Sequence, residues 1–286
     1  MKIGKWEAPA LVLPAMLLIF FIMIFPLFYT IYCSVQSLDY MQFGGFVGWK
    51  NYIKIFSDSK FWPSIRVTML ISLSATAVSL VVGALLAIWV DSDRCRYGYA
   101  IQLTGLVPWV TSMVVAALLW KWVFDGETGL MNYLLSRLGL RPISFFSSAV
   151  SAIITTVFVM AWRTIGYSMV MVLAGLKGLP HELIEAAAVD GASANQTFWR
   201  IKLPMIKTPA LISAIVLTMS NFNNNTIPMV LTSGGPADAT NVITLILYRT
   251  GFSYFQFGKA SALAFVVFVI NIILVIIYIK AVKYEI

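Results

Sequence analysis

Glu185-Ala186-Ala187-Ala188-Val189-Asp190-Gly191, followed by Ile201-Lys202-Leu203-Pro204, is the stretch on which the reading of this chain turns. It lies in a polar segment, residues 176–208, flanked by long apolar runs. Gly178 and Pro180 mark a helix start, because proline is tolerated in a first turn where its missing N–H costs nothing. Glu182 and Glu185 fall in the early turns, where acid complements the helix dipole. Leu183, Ile184, Ala187 and Ala188 form a small apolar stripe at spacing 3–4. Gly191 stops the helix as a C-terminal glycine does. Ser193 with Gln196 three residues on predicts a capping box and a second helix, ending near Leu203-Pro204. Thr208-Pro209 then opens the next apolar run. Two short helices meeting at a glycine suit either a docking surface for a partner or an amphipathic connector lying on lipid.

Outward from this segment the chain reads as membrane. Of its 286 residues 60% are hydrophobic and 11% charged, with mean hydropathy +0.86. No soluble domain of this size hides that much apolar surface. A crossing needs about 20 apolar residues, and six runs qualify: 10–35, 67–90, 101–124, 149–175, 210–231 and 260–281. An all-α, polytopic bundle is the architecture lipid permits, here as a single membrane domain over 1–286. The basic start Met1–Lys5 precedes an apolar run too long for a signal peptide, with no small-residue cleavage site, so a retained first span is expected. Cys33 and Cys95 have no metal-like spacing and imply neither a disulfide frame nor redox chemistry.

The net charge of +8 forms no clustered basic stripe, which argues against nucleic acid and for basic anchors at helix ends. With the N-terminus inside, ten basic residues fall on the cytoplasmic side and nine outside, Arg163 being within a span. That balance leaves orientation undecided by charge. The termini and the short basic loop 91–96 favour both ends being cytoplasmic.

Polar groups inside spans are functional candidates by default. The fifth run carries Ser220-Asn221-Phe222-Asn223-Asn224-Asn225-Thr226. Asn221, Asn224 and Asn225 share one helical face at i, i+3, i+4, and Asn221 lies about 18 Å into the helix. Pro228 has no N–H for the Asn224 carbonyl. Uncharged amides that donate and accept suit sugar hydroxyls; hydrogen bonding between subunits is the competing role. The fourth run contributes Trp162, Arg163, Gly166, Tyr167 and Met169. Its aromatics suit pyranose stacking or plain packing. Arg163 suits a phosphate, an acidic sugar or a bridge to a partner subunit, the bridge being favoured.

Glu185-Ala186-Ala187 with Gly191 and Ile201-x-Leu203-Pro204 resembles the "EAA" loop of ABC importer permeases. Ala174-Gly175-Leu176-Lys177-Gly178-Leu179-Pro180, Leu231-Thr232-Ser233-Gly234-Gly235-Pro236, Tyr248-Arg249-Thr250 and Phe257-Gly258-Lys259-Ala260 resemble its carbohydrate branch. Across nearly the whole chain, it is similar to the first permease subunit of maltose-type and glycerol-phosphate-type importers.

That resemblance implies the type I importer permease fold in a cell (inner) membrane. It also implies a second homologous permease, two ATPase subunits and an extracytoplasmic solute-binding protein as partners, with a sugar as substrate. Glycerol phosphate or another polyol is the alternative. Residues 176–208 become the coupling loop, with Glu185, Ala186, Ala187, Asp190, Gly191 and Ala192 at the ATPase. Ser220, Asn221 and Asn224 fall at substrate-lining positions, and Gly166, Tyr167 and Met169 at or beside sugar contacts. Met169 stands where a maltose site has an aromatic. The Ser233–Thr240 loop and residues 39–62 become docking surfaces for the binding protein, and His181 opens the coupling helix.

The chain has no Walker A sequence, so ATP and magnesium belong to the partners and no cofactor is expected here. No catalytic triad, carboxylate pair or metal cluster has usable spacing. An ion-coupled transporter would favour intramembrane carboxylates, and the spans contain none. An intramembrane hydrolase would need a nucleophile–base pair, which is equally missing.

Overall fold

The structure, a computed structural model, describes residues 7–92 and 95–281. Among the described residues four helices are each long and apolar enough to cross a bilayer: Val12–Ser34, Phe61–Asp91, Ala149–Lys177 and Phe257–Ala281. Two bent pairs, Gly98–Val110 with Met113–Val123 and Asn195–Met205 with Lys207–Phe222, bring the number to six, the number expected, when each pair is one span.

The expected third span, 101–124, is two helices, Gly98–Val110 and Met113–Val123, bent by 98°. Thr111 and Ser112 are both extended, with ψ of 136°. Pro108 already removes a donor in the last turn of the first half, so the helix has lost cooperativity where it ends.

The expected fifth span, 210–231, is also interrupted. One helix covers Lys207–Phe222 and a second Thr226–Thr232, with Asn223–Asn225 between them. Pro228 supplies the physical reason, since it cannot donate to Asn224 and its ring crowds that carbonyl. Asn224 instead turns its side chain onto the new helix, Oδ1 accepting from the Ile227 N–H at 3.0 Å.

The described residues fall into two compact units. The first comprises Met1–Trp62 and Ile246–Ile270. Here an all-α reading misses a short hairpin, Gln36–Asp39 paired antiparallel with Gln42–Phe46 through a turn at Tyr40-Met41. Asn51 braces it, Nδ2 donating to the Ser34 and Gln36 carbonyls at 2.9 Å each. A Cβ at Gly258 would collide with the Gln36 carbonyl, so only glycine lets the two backbones meet.

The second unit comprises Pro63–Leu245 and Asn271–Ile286. Its fourth span starts at a capping box in which Ser148 and Ser151 serve each other's backbone N–H groups. That span packs on the second through small and hydroxyl-bearing residues. Ser79 Oγ and Thr164 Oγ1 lie 2.7 Å apart, and a Cβ at Gly83 would come within 2.6 Å of Ser168. Close backbone approach and hydroxyl pairing of this kind hold helices together where lipid supplies no hydrophobic drive. A core of Ile71, Ala117, Val159, Ile227, Leu231 and Leu245 fills the rest.

Candidate functional site

Residues 176–208 fold much as their caps predict. The first helix is His181–Val189, and Gly191 follows at φ +77°. Its N–H donates to Ala188 and that of Ala192 to Ala187, at 3.1 and 2.9 Å. These two bonds are a Schellman ending, which needs a left-handed residue and so favours glycine. Ser193 and Gln196 then make the reciprocal box, Ser193 N–H to Gln196 Oε1 at 2.9 Å and Gln196 N–H to Ser193 Oγ at 3.3 Å. The second helix runs through Ala194–Thr197, a π turn Phe198–Lys202 and Leu203–Met205.

The two faces of this segment differ. Ala187 is buried, and Ile184 with Ala188 lines a cavity of about 630 Å³ that also meets Ile88, Leu176 and Phe198. Glu185, Ala186, Asp190 and Gly191 are exposed, as are Val189, at 87%, and Trp199. Asp190, Gly191, Ala192 and Arg200 border a shallow depression of about 330 Å³. Asp91, at the end of the second span, accepts from Lys202 Nζ at 3.2 Å and lies 3.9 Å from Lys177 Nζ. One carboxylate therefore links the second span, the fourth span and the two-helix segment that follows it. Sequence reasoning missed this link, because residues 111 apart carry no spacing signal.

The candidate substrate residues are distributed over several contacts. Asn221 is 4% exposed and donates from Nδ2 to Thr76 Oγ1 of the second span at 3.1 Å. Asn224 is 6% exposed and caps the next helix; Asn225 and Ser220 are half-buried. Since the helix ends at Phe222, the three asparagines do not form one helical face, which corrects the i, i+3, i+4 expectation. Asn223, exposed, pairs its amide with that of Asn271 at 3.2 Å.

In the fourth span, Gly166 backs directly onto the Gly105 carbonyl, and a Cβ at Gly105 would meet Met169 Cε at 2.8 Å. Tyr167 stacks on Trp109 with centroids 4.5 Å apart, and Trp162 stands edge-on to Trp120 at 5.3 Å. Trp109 was not singled out by the sequence, where it is one apolar residue in an apolar run.

Outside the spans, Asp39, Lys50, Lys54, Asp58 and Lys259 border a cavity of about 510 Å³. Asp58 is held below the usual carboxylate range, first by the Lys60 backbone N–H and then by Lys259, whose Nζ is 3.2 Å away. Among the described residues no group of His, Cys, Asp and Glu has metal-binding geometry.

Apolar spans, two of them broken, with a capped two-helix segment that presents acid and small residues, define a multi-pass membrane transport subunit. The chain belongs to the family of binding-protein-dependent transport system inner membrane components, whose model matches residues 58–279. It is 31% identical over 278 residues to the sulfoquinovosyl glycerol transport system permease protein SmoG of Agrobacterium fabrum, covering 96% of this chain and 90% of that one. It is 29% identical to the trehalose/maltose transport system permease protein MalF of Thermococcus litoralis, over 96% and 93% of the two chains. With the sn-glycerol-3-phosphate transport system permease protein UgpA of Shigella flexneri it shares 30%, over 98% and 95%. The fold superposes with a TM-score of 0.84 on a chain of a bacterial ABC transporter involved in import of the acidic polysaccharide alginate, at 20% identity over 98% and 97%.

Proposed function

We propose that this chain is one of two homologous permease subunits of an ATP-driven importer for a sugar or oligosaccharide. Sugar-permease relatives spanning nearly its whole length support the substrate class. The glycerol-phosphate relative supports a phosphorylated polyol as the second reading. In this scheme two cytoplasmic ATPase subunits bind and hydrolyse the nucleotide, and this subunit carries no catalysis or cofactor of its own. Both termini are cytoplasmic, and the substrate arrives on an extracytoplasmic solute-binding protein. The Asp39–Lys259 cavity and the Ser233–Thr240 loop are each a docking surface for that protein.

The observation that carries the reading is the two-sidedness of residues 181–205. The exposed face, with Glu185, Ala186, Asp190 and Gly191, is small and acidic, suited to a basic cleft on an ATPase subunit. The other face is tied by Asp91, Lys202 and Lys177 to two spans. A push on the exposed face therefore moves transmembrane helices rather than a loose loop. Alternating access then follows as the spans rock, and Ser220, Asn221, Asn224, Asn225, Trp162, Gly166, Tyr167 and Met169 border the path opened between the two permeases. The buried amides become available to hydroxyls in the outward-facing state.

The test is copurification and ATP-dependent uptake in proteoliposomes with Glu185→Ala combined with Gly191→Pro. Gly191 is at φ +77°, a value proline cannot adopt. Loss of both ATPase association and uptake is the expected result. Intact association and uptake would defeat the coupling assignment.

A further inference from the structure

Arg163 is a cation at the midpoint of the helix Ala149–Lys177, about 21 Å from either end at roughly 1.5 Å per residue. A charge at that depth is costly unless something opposite faces it, and no carboxylate lies in the interior of any span. The opposing charge is a helix end. The first half of the third span stops at Val110, and carbonyls of its last turn lack helical donors because Thr111 and Ser112 are extended. Arg163 Nη2 donates to one of them, the Trp109 carbonyl, at 3.2 Å. Its guanidinium also lies 5.4 Å from the centroid of the Trp109 ring. A helix carboxyl terminus carries about half a negative charge, and an indole face is the aromatic surface that best receives a guanidinium. One residue, Trp109, therefore supplies Arg163 with both.

The same indole stacks on Tyr167, and one turn back Gly105 rests on Gly166. Arg163 thus closes a contact in which the broken helix lies on the fourth span without spare volume. The fifth span repeats the chemistry: Lys121 Nζ donates to the Val230 carbonyl at 3.0 Å, in the last turn of Thr226–Thr232. Each of the two interrupted spans has a half-helix whose carboxyl end is met by a cation from another helix.

We propose that Arg163 is a positioning residue, clamping the carboxyl end of the broken third span to the fourth so that the Trp109–Tyr167 stack moves with the fourth span during transport. This assignment rests on the transport reading above for its consequence, but not for its geometry. It makes Arg163 neither a substrate contact nor a bridge to the partner permease.

The test uses the assembled transporter in proteoliposomes, with Arg163→Met, Trp109→Leu and the double variant. Arg163→Met lowers uptake per assembled complex about tenfold, the loss of one partly buried helix-end cation, whereas Trp109→Leu keeps the carbonyl at 109, removes only the indole face and lowers uptake about threefold. The double variant loses less than the product of the two single losses, because Arg163→Met already removes the guanidinium–indole contact that Trp109→Leu would remove. Arg163→Lys restores uptake to within about threefold, since an ammonium still meets the helix end.

An Ala116→Cys reporter, buried in the first turn after the break, in a chain with Cys33 and Cys95 changed to serine, reads the break directly. Arg163→Met speeds its reaction with a membrane-permeant maleimide about tenfold, as the local structure opens more often. Should Arg163→Met fail to assemble, Arg163→Gln, which keeps an N–H donor without the charge, takes its place. Unchanged uptake and labelling overturn the proposal, as do additive losses in the double variant. A rise in KM alone also overturns it, by making Arg163 a substrate contact. If the unaltered complex shows no ATP-driven uptake while labelling still responds to Arg163→Met, the transport reading fails and the clamp stands.

Discussion

The turn at Gly191 and the break at Asn223–Asn225 both end one helix and begin another within a few residues, yet they dispose of their backbone groups differently. At Gly191 the ending is exposed, and water competes for every N–H and carbonyl; the Schellman bonds and the Ser193–Gln196 box improve an already solvated junction. At Asn224 the junction is buried. The Ile227 N–H receives Asn224 Oδ1, and no water-rich surface stands ready to replace it. The same local chemistry, a short polar side chain on a first-turn donor, thus carries different weight. On the exposed segment it selects a conformation. Inside the membrane it prevents an orphaned polar group, the more expensive failure.

The comparison breaks or holds on paired cap removals. Asn224→Ala leaves the Ile227 N–H unserved in a buried setting and costs about 1–3 kcal/mol. Thermal unfolding of the purified complex in detergent should report that loss directly. Ser193→Ala removes the corresponding cap on the exposed side and costs about 1 kcal/mol, read by amide hydrogen exchange over residues 193–198. Equal costs at the two sites would show that the fifth-span break is wet in the assembled transporter, and the buried amides would have to be reread as water ligands.

Legibility in the sequence followed the range of the interactions involved. The two-helix segment at 181–205 is readable almost residue by residue because every determinant is local: Pro180, Gly191, Ser193 and Gln196 act within four positions of themselves. The number of spans was equally plain from apolar length. The breaks were not. Pro228 is visible in the sequence, and with it the lost bond to the Asn224 carbonyl, but spacing alone puts the asparagines on one continuous helix. What decides is the competition between helix and side-chain bonding at three consecutive amides, and tertiary contacts settle it. Asn221 found Thr76, and Asn223 found Asn271. Gly105 against Gly166, Trp109 beneath Arg163 and Asp91 beside Lys202 depend wholly on pairs far apart in the chain. The hairpin at 36–46 was hidden for a different reason. Its turn is Tyr40-Met41, both at positive φ, where a two-residue hairpin ordinarily advertises itself with asparagine or glycine.

The mildest expected effect lies outside the membrane and tests whether exposed electrostatics matter at all beside buried bonding. Asp58 is held below the ordinary carboxylate range by the Lys60 backbone N–H and by Lys259. A group whose pKa is depressed on folding contributes stability that is present above its unfolded value and is lost as pH falls through its folded value. The segment around Asp58 should therefore keep its protection at neutral pH and loosen only below about pH 4. Lys259→Met removes the second of the two influences and leaves the Lys60 N–H in place. It should move that loosening slightly upward in pH, with a stability change within about 1 kcal/mol because the pair is partly solvated. Hydrogen exchange of residues 50–60 between pH 3 and 7, with and without the substitution, measures both. A large loss at neutral pH would mean that the lysine braces the Asp39–Lys259 cavity by packing its stem, and the exposed regions would then be held by the same contact-driven logic as the interior.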